Sequence, residues 1–246
     1  MIEKIMHSPL EQFKIQELFH LELFGIDISF NNSALLMLIT LITCVLFLSL
    51  SIRKKALIPG RLQTSAEMLY ELVDGIIEGT TGSEGKKYMP IIFTTFIFVL
   101  FCNLLGMIPY SFTITSHIIV TFAIAAGIFI AITILGFVRH GFHYFSLFLP
   151  EGTPSLLAPL MILIELFSYL SRPVSLAVRL AANMTAGHIV MKLLASFTIM
   201  GGLTLGIFPF AFLTIMQGFE IFVAVLQAYI FTILSCVYLN DAINLH

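Results

Sequence analysis

Long apolar stretches, interrupted by a few isolated polar residues, dominate the chain. Uncharged runs at 35–52, 90–109 and 118–138 approach or reach the roughly 20 residues that a helix needs to cross a bilayer. Two longer apolar stretches, 154–205 and 206–239, carry most of the polar interruptions. The first run predicts a membrane helix over 33–52, stopped by Arg53-Lys54-Lys55, with a turn at Pro59-Gly60. Between 64 and 79 the pattern changes. Leu69, Leu72, Val73, Ile76 and Ile77 form a helical stripe, and Glu67, Glu71, Asp74 and Glu78 lie mainly opposite it. That is the signature of an amphipathic helix on a membrane surface. Pro90 suits the first turn of the next helix. A short uncharged link, 111–116, leads to a third span that closes at Arg139-His140-Gly141.

From 160 to 198 the pattern is helical apart from Pro173, where the ring removes a backbone hydrogen bond and bends the helix. Nearly 40 helical residues would extend about 60 Å at about 1.5 Å each, twice a hydrocarbon core of about 30 Å. The segment therefore either breaks or runs steeply tilted. Gly201-Gly202 predicts a hairpin turn, and a second long helix follows to about Leu239, with Gly206, Pro209 and Gly218 as bend points.

The expected architecture is an all-α multi-spanning membrane protein. It has an N-terminal extramembrane or interfacial segment (1–32), a first transmembrane helix (33–52) and a basic connector with the surface helix (53–87). A transmembrane hairpin (88–138), a connector (139–159) and a pair of long tilted antiparallel helices (160–246) complete it. Within 1–32, Pro9–Phe13 and His20–Phe24 read as short amphipathic surface pieces. The acidic and basic residues scattered there argue against a cleavable signal peptide. Arg53, Lys54, Lys55, Arg61, Lys86, Lys87 and Arg139 fall on one inferred side, which the positive-inside rule makes cytoplasm or matrix.

Composition agrees with a lipid environment. The chain is 59% hydrophobic and 11% charged, against about 25% charged in soluble domains. The net charge of -2 says little about partners, and no basic patch with interleaved aromatics supports nucleic-acid binding. Cys44, Cys102 and Cys236 stand singly and read as small buried hydrophobes. No phosphate-binding loop, zinc-protease or nucleophile-elbow motif is present, so no catalytic residue, cofactor or metal is expected.

The informative residues are the few charges in lipid-like sequence. After Tyr88 the chain has only eight Lys, Arg, Asp or Glu residues, and Glu165, Arg172, Arg179 and Glu220 lie within or beside apolar segments. A charge at mid-membrane costs about 2.5–3.5 kcal/mol on insertion scales, so such residues face protein or a water-filled path. At 100° per residue Glu165, Ser168, Arg172, Arg179 and Asn183 share one helix face, a polar stripe roughly 27 Å long, and His188 lies off it. Glu220 and Gln227, seven apart, share a face of the next helix. A tight turn at Gly201-Gly202 would bring Ala182 level with Phe222 and Asn183 near Glu220.

Arg179 cannot shed its proton and is a fixed positive charge. Its partner is either Glu220, in a structural ion pair, or a carboxylate of another subunit. Glu165, His188 and Glu220 can exchange protons and suit aqueous half-paths. The plainer readings stay open beside these: Arg172 as an interfacial anchor, His188 as a satisfied core histidine, and Asn183 and Gln227 as helix-packing contacts.

Several strings point to one family. Ser171-Arg172-Pro173-Val174-Ser175-Leu176-Ala177-Val178-Arg179-Leu180-Ala181-Ala182-Asn183-Met184-Thr185-Ala186-Gly187-His188 is one. Others are Glu220 followed by Val225-Leu226-Gln227-Ala228-Tyr229-Ile230-Phe231-Thr232, the run Phe101–Tyr110, and Thr115-Ser116-His117. Together they resemble the proton-channel subunit a family of the F-type ATP synthases, over essentially the whole chain and least before residue 30. The resemblance implies that Arg179 faces the c-subunit ring and attracts its deprotonated carboxylates. It also implies that Glu220 and His188 carry protons in the half-channel from the periplasm or intermembrane space. Glu165, with Ser168, would serve the half-channel to cytoplasm or matrix, and Asn183 and Gln227 would be polar positions beside the arginine. The implied partners are the c-ring, the peripheral-stalk subunit b, other membrane-sector subunits, protons and lipid.

The chain departs from many bacterial members in two places. The stretch 103–110 has no acidic residue, and His188 stands where many have Glu. These features predict a multi-pass protein of the mitochondrial inner membrane or an alphaproteobacterial counterpart, with the bacterial plasma membrane as the alternative. Two other classes compete. A stand-alone secondary transporter should show internal repeats, and no second copy of the 160–240 pattern is evident. A purely structural scaffold leaves Glu165, Arg179 and Glu220 unexplained.

Overall fold

The computed structural model describes residues 17–20, 22–23, 26–27, 29–53, 59–108, 113–148 and 157–244. Its helices are α1 (Asn32–Ile52), α2 (Arg61–Thr81), α3 (Met89–Gly106), α4 (Ile118–His140), α5 (Ala158–Met200), α6 (Gly202–Leu205) and α7 (Ile207–Ile243). Short 3₁₀ segments cover Gly82–Tyr88, Ile114–Ser116 and Gly141–Phe148. Among the described residues, five helical segments are long and apolar enough to cross a membrane. Large apolar side chains lie exposed along them, among them Leu41, Val45, Ile130, Phe167 and Phe222. In water so much exposed apolar surface would be unstable, whereas a bilayer solvates it.

The contacts divide the chain into two compact units. The first comprises Met1–Leu50, Ile97–His117 and Leu180–Ala228, and the second Ser51–Phe96, Ile118–Arg179 and Tyr229–His246.

In the first unit two short antiparallel strand pairs precede α1. Glu17–Phe19 pairs with Phe30–Asn31, and Glu22–Leu23 with Ile26–Asp27. The expected amphipathic piece at His20–Phe24 is therefore partly strand, because Glu22 and Leu23 lie in a hairpin too short for helical periodicity to apply. The piece expected at Pro9–Phe13 lies outside the described residues. Met107, Met184 and Ala224 form a buried apolar cluster, with Met191 against it. The unbranched methionines fill the irregular gap between helices. Gly202 adopts φ 61° at the turn after α5, a conformation that glycine takes without a Cβ penalty.

In the second unit the aromatic side chains organise the packing. Tyr144 is buried, with its ring 4.8 Å from that of Phe137. The Tyr169 ring stacks 4.6 Å from Phe129 and 5.5 Å from Phe148. Thr81 and Cys236 are buried, and the Thr81 hydroxyl donates to the Cys236 carbonyl. On the exposed connector Lys86 pairs with Glu78 and Asp74, and Arg139 with Glu84. Exposed pairs of this kind contribute little to stability. All three cysteines are buried and free, as small hydrophobes.

Helix α5 is unbroken over its 43 residues, with Pro173 inside it. Of the two expectations for this segment, a break or a tilt, the break does not occur.

Candidate functional site

Two polar clusters stand out, one in each unit. In the first, His188 on α5 and Glu220 on α7 meet side chain to side chain, with His188 Nδ1 2.9 Å from Glu220 Oε1. Their side chains are only 7% and 6% exposed. The other ring nitrogen, His188 Nε2, lies 2.9 Å from the Gly106 carbonyl oxygen at the end of α3. Gly106 O also accepts from the Thr113 hydroxyl. Asn103, one turn earlier on α3, donates from Nδ2 to the Ala224 carbonyl. Asn103 Oδ1, Thr115 Oγ1 and Glu220 Oε2 are buried and have no hydrogen-bond partner among the described residues. Buried polar atoms are nearly always satisfied by protein or ordered water, so this cluster is suited to hold water beside an exchangeable carboxyl group.

The approach of α5 to α7 depends on a residue with no side chain. A Cβ built on Gly187 would overlap the Glu220 carboxylate. Glycine at 187 is therefore what lets the carboxylate lie between the helices and reach His188.

The second cluster centres on Arg172. Its Nη1 donates to Asp241 Oδ2 at 2.8 Å, and Nη2 is 3.9 Å from Glu165 Oε1. The guanidinium carbon sits 5.3 Å from the Tyr169 ring centroid and 5.1 Å from that of Tyr238. Each such cation–π contact contributes about 0.5–1 kcal/mol when exposed and more when desolvated. The Tyr169 hydroxyl in turn is 2.7 Å from Thr133 Oγ1 and 2.9 Å from Tyr144 OH. Arg172 is thus fixed by two carboxylates and two rings, and is not a solitary interfacial anchor.

The candidate residues fare differently. Glu165 lies in the Arg172 cluster and is partly buried, while Ser168 is exposed on the same helix. Arg179 and Asn183 are exposed, and among the described residues no ion pair involves Arg179. Gln227 is buried. Glu220 takes His188 as its ionic partner. Among the described residues the side chain within hydrogen-bond reach of the Glu220 carboxylate is that of His188. Between α5 and α7 lies the four-residue α6, Gly202–Leu205, so the connection is longer than a tight diglycine turn.

Reading the sequence missed Asp241, Gly187 and the Gly106 carbonyl. Asp241 carried a usable signal, as one of the eight charges after Tyr88. The Gly106 carbonyl carried none, because every residue has one.

A family model described as ATP synthase A chain matches residues 34–240. The chain belongs to the ATP synthase A chain family. Among its relatives, ATP synthase subunit a of Rhodospirillum rubrum is 58% identical over 241 residues, covering 98% of this chain and 100% of the relative. A second sequence of the same description, from a strain of that organism, gives the same figures. Membership makes this chain a membrane-embedded, non-catalytic subunit of the ATP synthase, concerned at family level with proton translocation and associated with other subunits of that complex. The match takes in most of α1 through most of α7 and includes both polar clusters apart from Asp241.

Proposed function

We propose that this chain provides two separate aqueous half-paths for protons beside a c-subunit ring, with Arg179 as the fixed cation between them. The observation that carries the reading is the buried His188–Glu220 contact, an exchangeable pair held between membrane-length helices with one carboxylate oxygen left for a further partner. A proton arriving by way of the His188–Glu220 pair neutralises a ring carboxylate. Neutralisation removes the cost of carrying that group through lipid, a few kcal/mol for a charge at the bilayer centre. The ring turns, and the carboxylate later releases its proton towards Glu165 and Ser168. Arg172 and Asp241, which share a cluster with Glu165, belong to this outlet side. Arg179 is exposed on α5 and always charged. It attracts the ionised ring carboxylate and keeps the half-paths from joining. Asn183 and Gln227 are polar neighbours of that crossing. One charge moving across 100 mV exchanges about 2.3 kcal/mol, so several protons drive each ATP formed elsewhere in the complex.

Subunit b and other membrane-sector subunits hold the chain against the ring in this account. The relatives from Rhodospirillum rubrum are bacterial, which favours a bacterial plasma membrane over the mitochondrial inner membrane as the setting.

The test is ATP-driven proton pumping by vesicles carrying the assembled complex with Glu220→Gln. An amide keeps the shape and cannot exchange a proton, so pumping should fall to background with assembly retained. Pumping at the parent rate would end the reading.

A further inference from the structure

His188 is held at both ring nitrogens, and its two partners are chemically unlike. Gly106 O is a main-chain carbonyl and can only accept, so Nε2 must carry a hydrogen whenever the 2.9 Å bond exists. A ring flip would replace both contacts with carbon atoms, so the orientation is fixed by geometry. With Nε2–H committed, Nδ1 faces Glu220 Oε1 at 2.9 Å across a gap that needs one hydrogen of its own. That hydrogen sits either on Nδ1, as imidazolium beside carboxylate, or on Oε1, as neutral imidazole beside carboxylic acid. The pair is neutral overall in both forms. Without the hydrogen, two acceptors would face each other in a buried site, which is unfavourable.

We infer that His188 is a positioning residue and not a conducting station, and that protons join and leave the pair through Glu220 Oε2. This rests on the half-path reading above and adds the route within it. A relay through imidazole must take a proton on one nitrogen and release it from the other. Here the far side of the ring ends on the Gly106 carbonyl, which cannot carry a proton onward. The only remaining atom of the pair able to exchange is Glu220 Oε2, buried and without a hydrogen-bond partner among the described residues. In one passage a hydronium donates a proton to Oε2, leaving water and converting the neutral pair to one of charge +1, imidazolium with carboxylic acid. Loss of that proton from Oε2 to the next acceptor returns the pair to neutrality. The hydrogen between Nδ1 and Oε1 is retained throughout. His188 keeps the carboxyl group aimed and supplies a compensating charge when Glu220 ionises.

The test compares His188→Gln with Glu220→Gln in vesicles of the assembled complex. Glutamine can donate to Glu220 Oε1 but cannot titrate. His188→Gln should lower pumping by about tenfold or less, while Glu220→Gln should lower it by about 100-fold or more, the range of a lost proton-transfer group. Equal loss in both variants would overturn the positioning role and leave the half-path reading standing. Normal pumping by Glu220→Gln would instead overturn the half-path reading itself. A second measurement needs no variant. In the native complex with ring-¹⁵N histidine and ¹³C-carbonyl glycine, the His188 ring is identified by its coupling to the Gly106 carbonyl. Nε2 should remain protonated over the whole pH range in which the complex pumps. A population with Nε2 deprotonated and Nδ1 protonated would contradict the inference.

Discussion

Gly187 lies directly against the carboxyl group of Glu220: a Cβ at 187 would come within 2.8 Å of Glu220 Cδ. The contact gives Gly187→Ala an unusual expected outcome. Alanine is about 1 kcal/mol better than glycine inside a helix, and the Glu220 side chain can swing away to relieve the overlap. The variant should therefore assemble with a thermal stability close to that of the parent. The displaced carboxylate loses its 2.9 Å contact with His188, so ATP-driven pumping should drop by about tenfold or more. Parent-level pumping with assembled complex would show that the position of Glu220 against His188 is not needed.

Arg172 predicts a different balance. Arg172→Gln removes a cation shared by Asp241 and Glu165 and leaves two partly exposed carboxylates without it. The pairs are partly solvated, so the stability cost is about 0.5–2 kcal/mol. Arg172→Lys should rescue little, because an ammonium cannot match the planar contacts with Tyr169 and Tyr238. A double-mutant cycle with Asp241→Asn, read by thermal dissociation of the complex, should give a coupling of about 0.5 kcal/mol or more. Strict additivity would mean that the 2.8 Å contact does not contribute in the membrane.

Thr133→Val tests whether the hydroxyl chain is structural. It removes one of the two hydroxyl partners of Tyr169 and leaves Tyr144 in place. The loss should be about 1 kcal/mol of stability, with coupled pumping retained. A selective loss of pumping at parent stability would make the hydroxyl chain part of the proton route.

Much of this arrangement was legible in the sequence, for reasons that differ from residue to residue. Glu165 and Arg172 are seven apart, so helical geometry alone places them on one face, and the structure pairs them at 3.9 Å. The apolar runs mark the membrane-length helices because lipid imposes both length and composition. The register of α5 against α7 was not legible, because it depends on how many residues the turn consumes. The diglycine suggested a tight turn, whereas α6 adds one of its own, and His188 is the α5 residue that meets Glu220. Main-chain partners such as Gly106 O leave no mark in composition or pattern. The strands before α1 are two or three residues long, too short to set up an alternation.

Coupled pumping by Arg179→Ala tests the central claim most directly, measured as ATP-driven acidification of vesicles at equal levels of assembled complex, with passive proton leak recorded alongside. Removing the one permanently charged group exposed on α5 between the two clusters in sequence should abolish coupled pumping, and Arg179→Lys should restore little of it. Near-normal coupled pumping by Arg179→Ala would contradict the account.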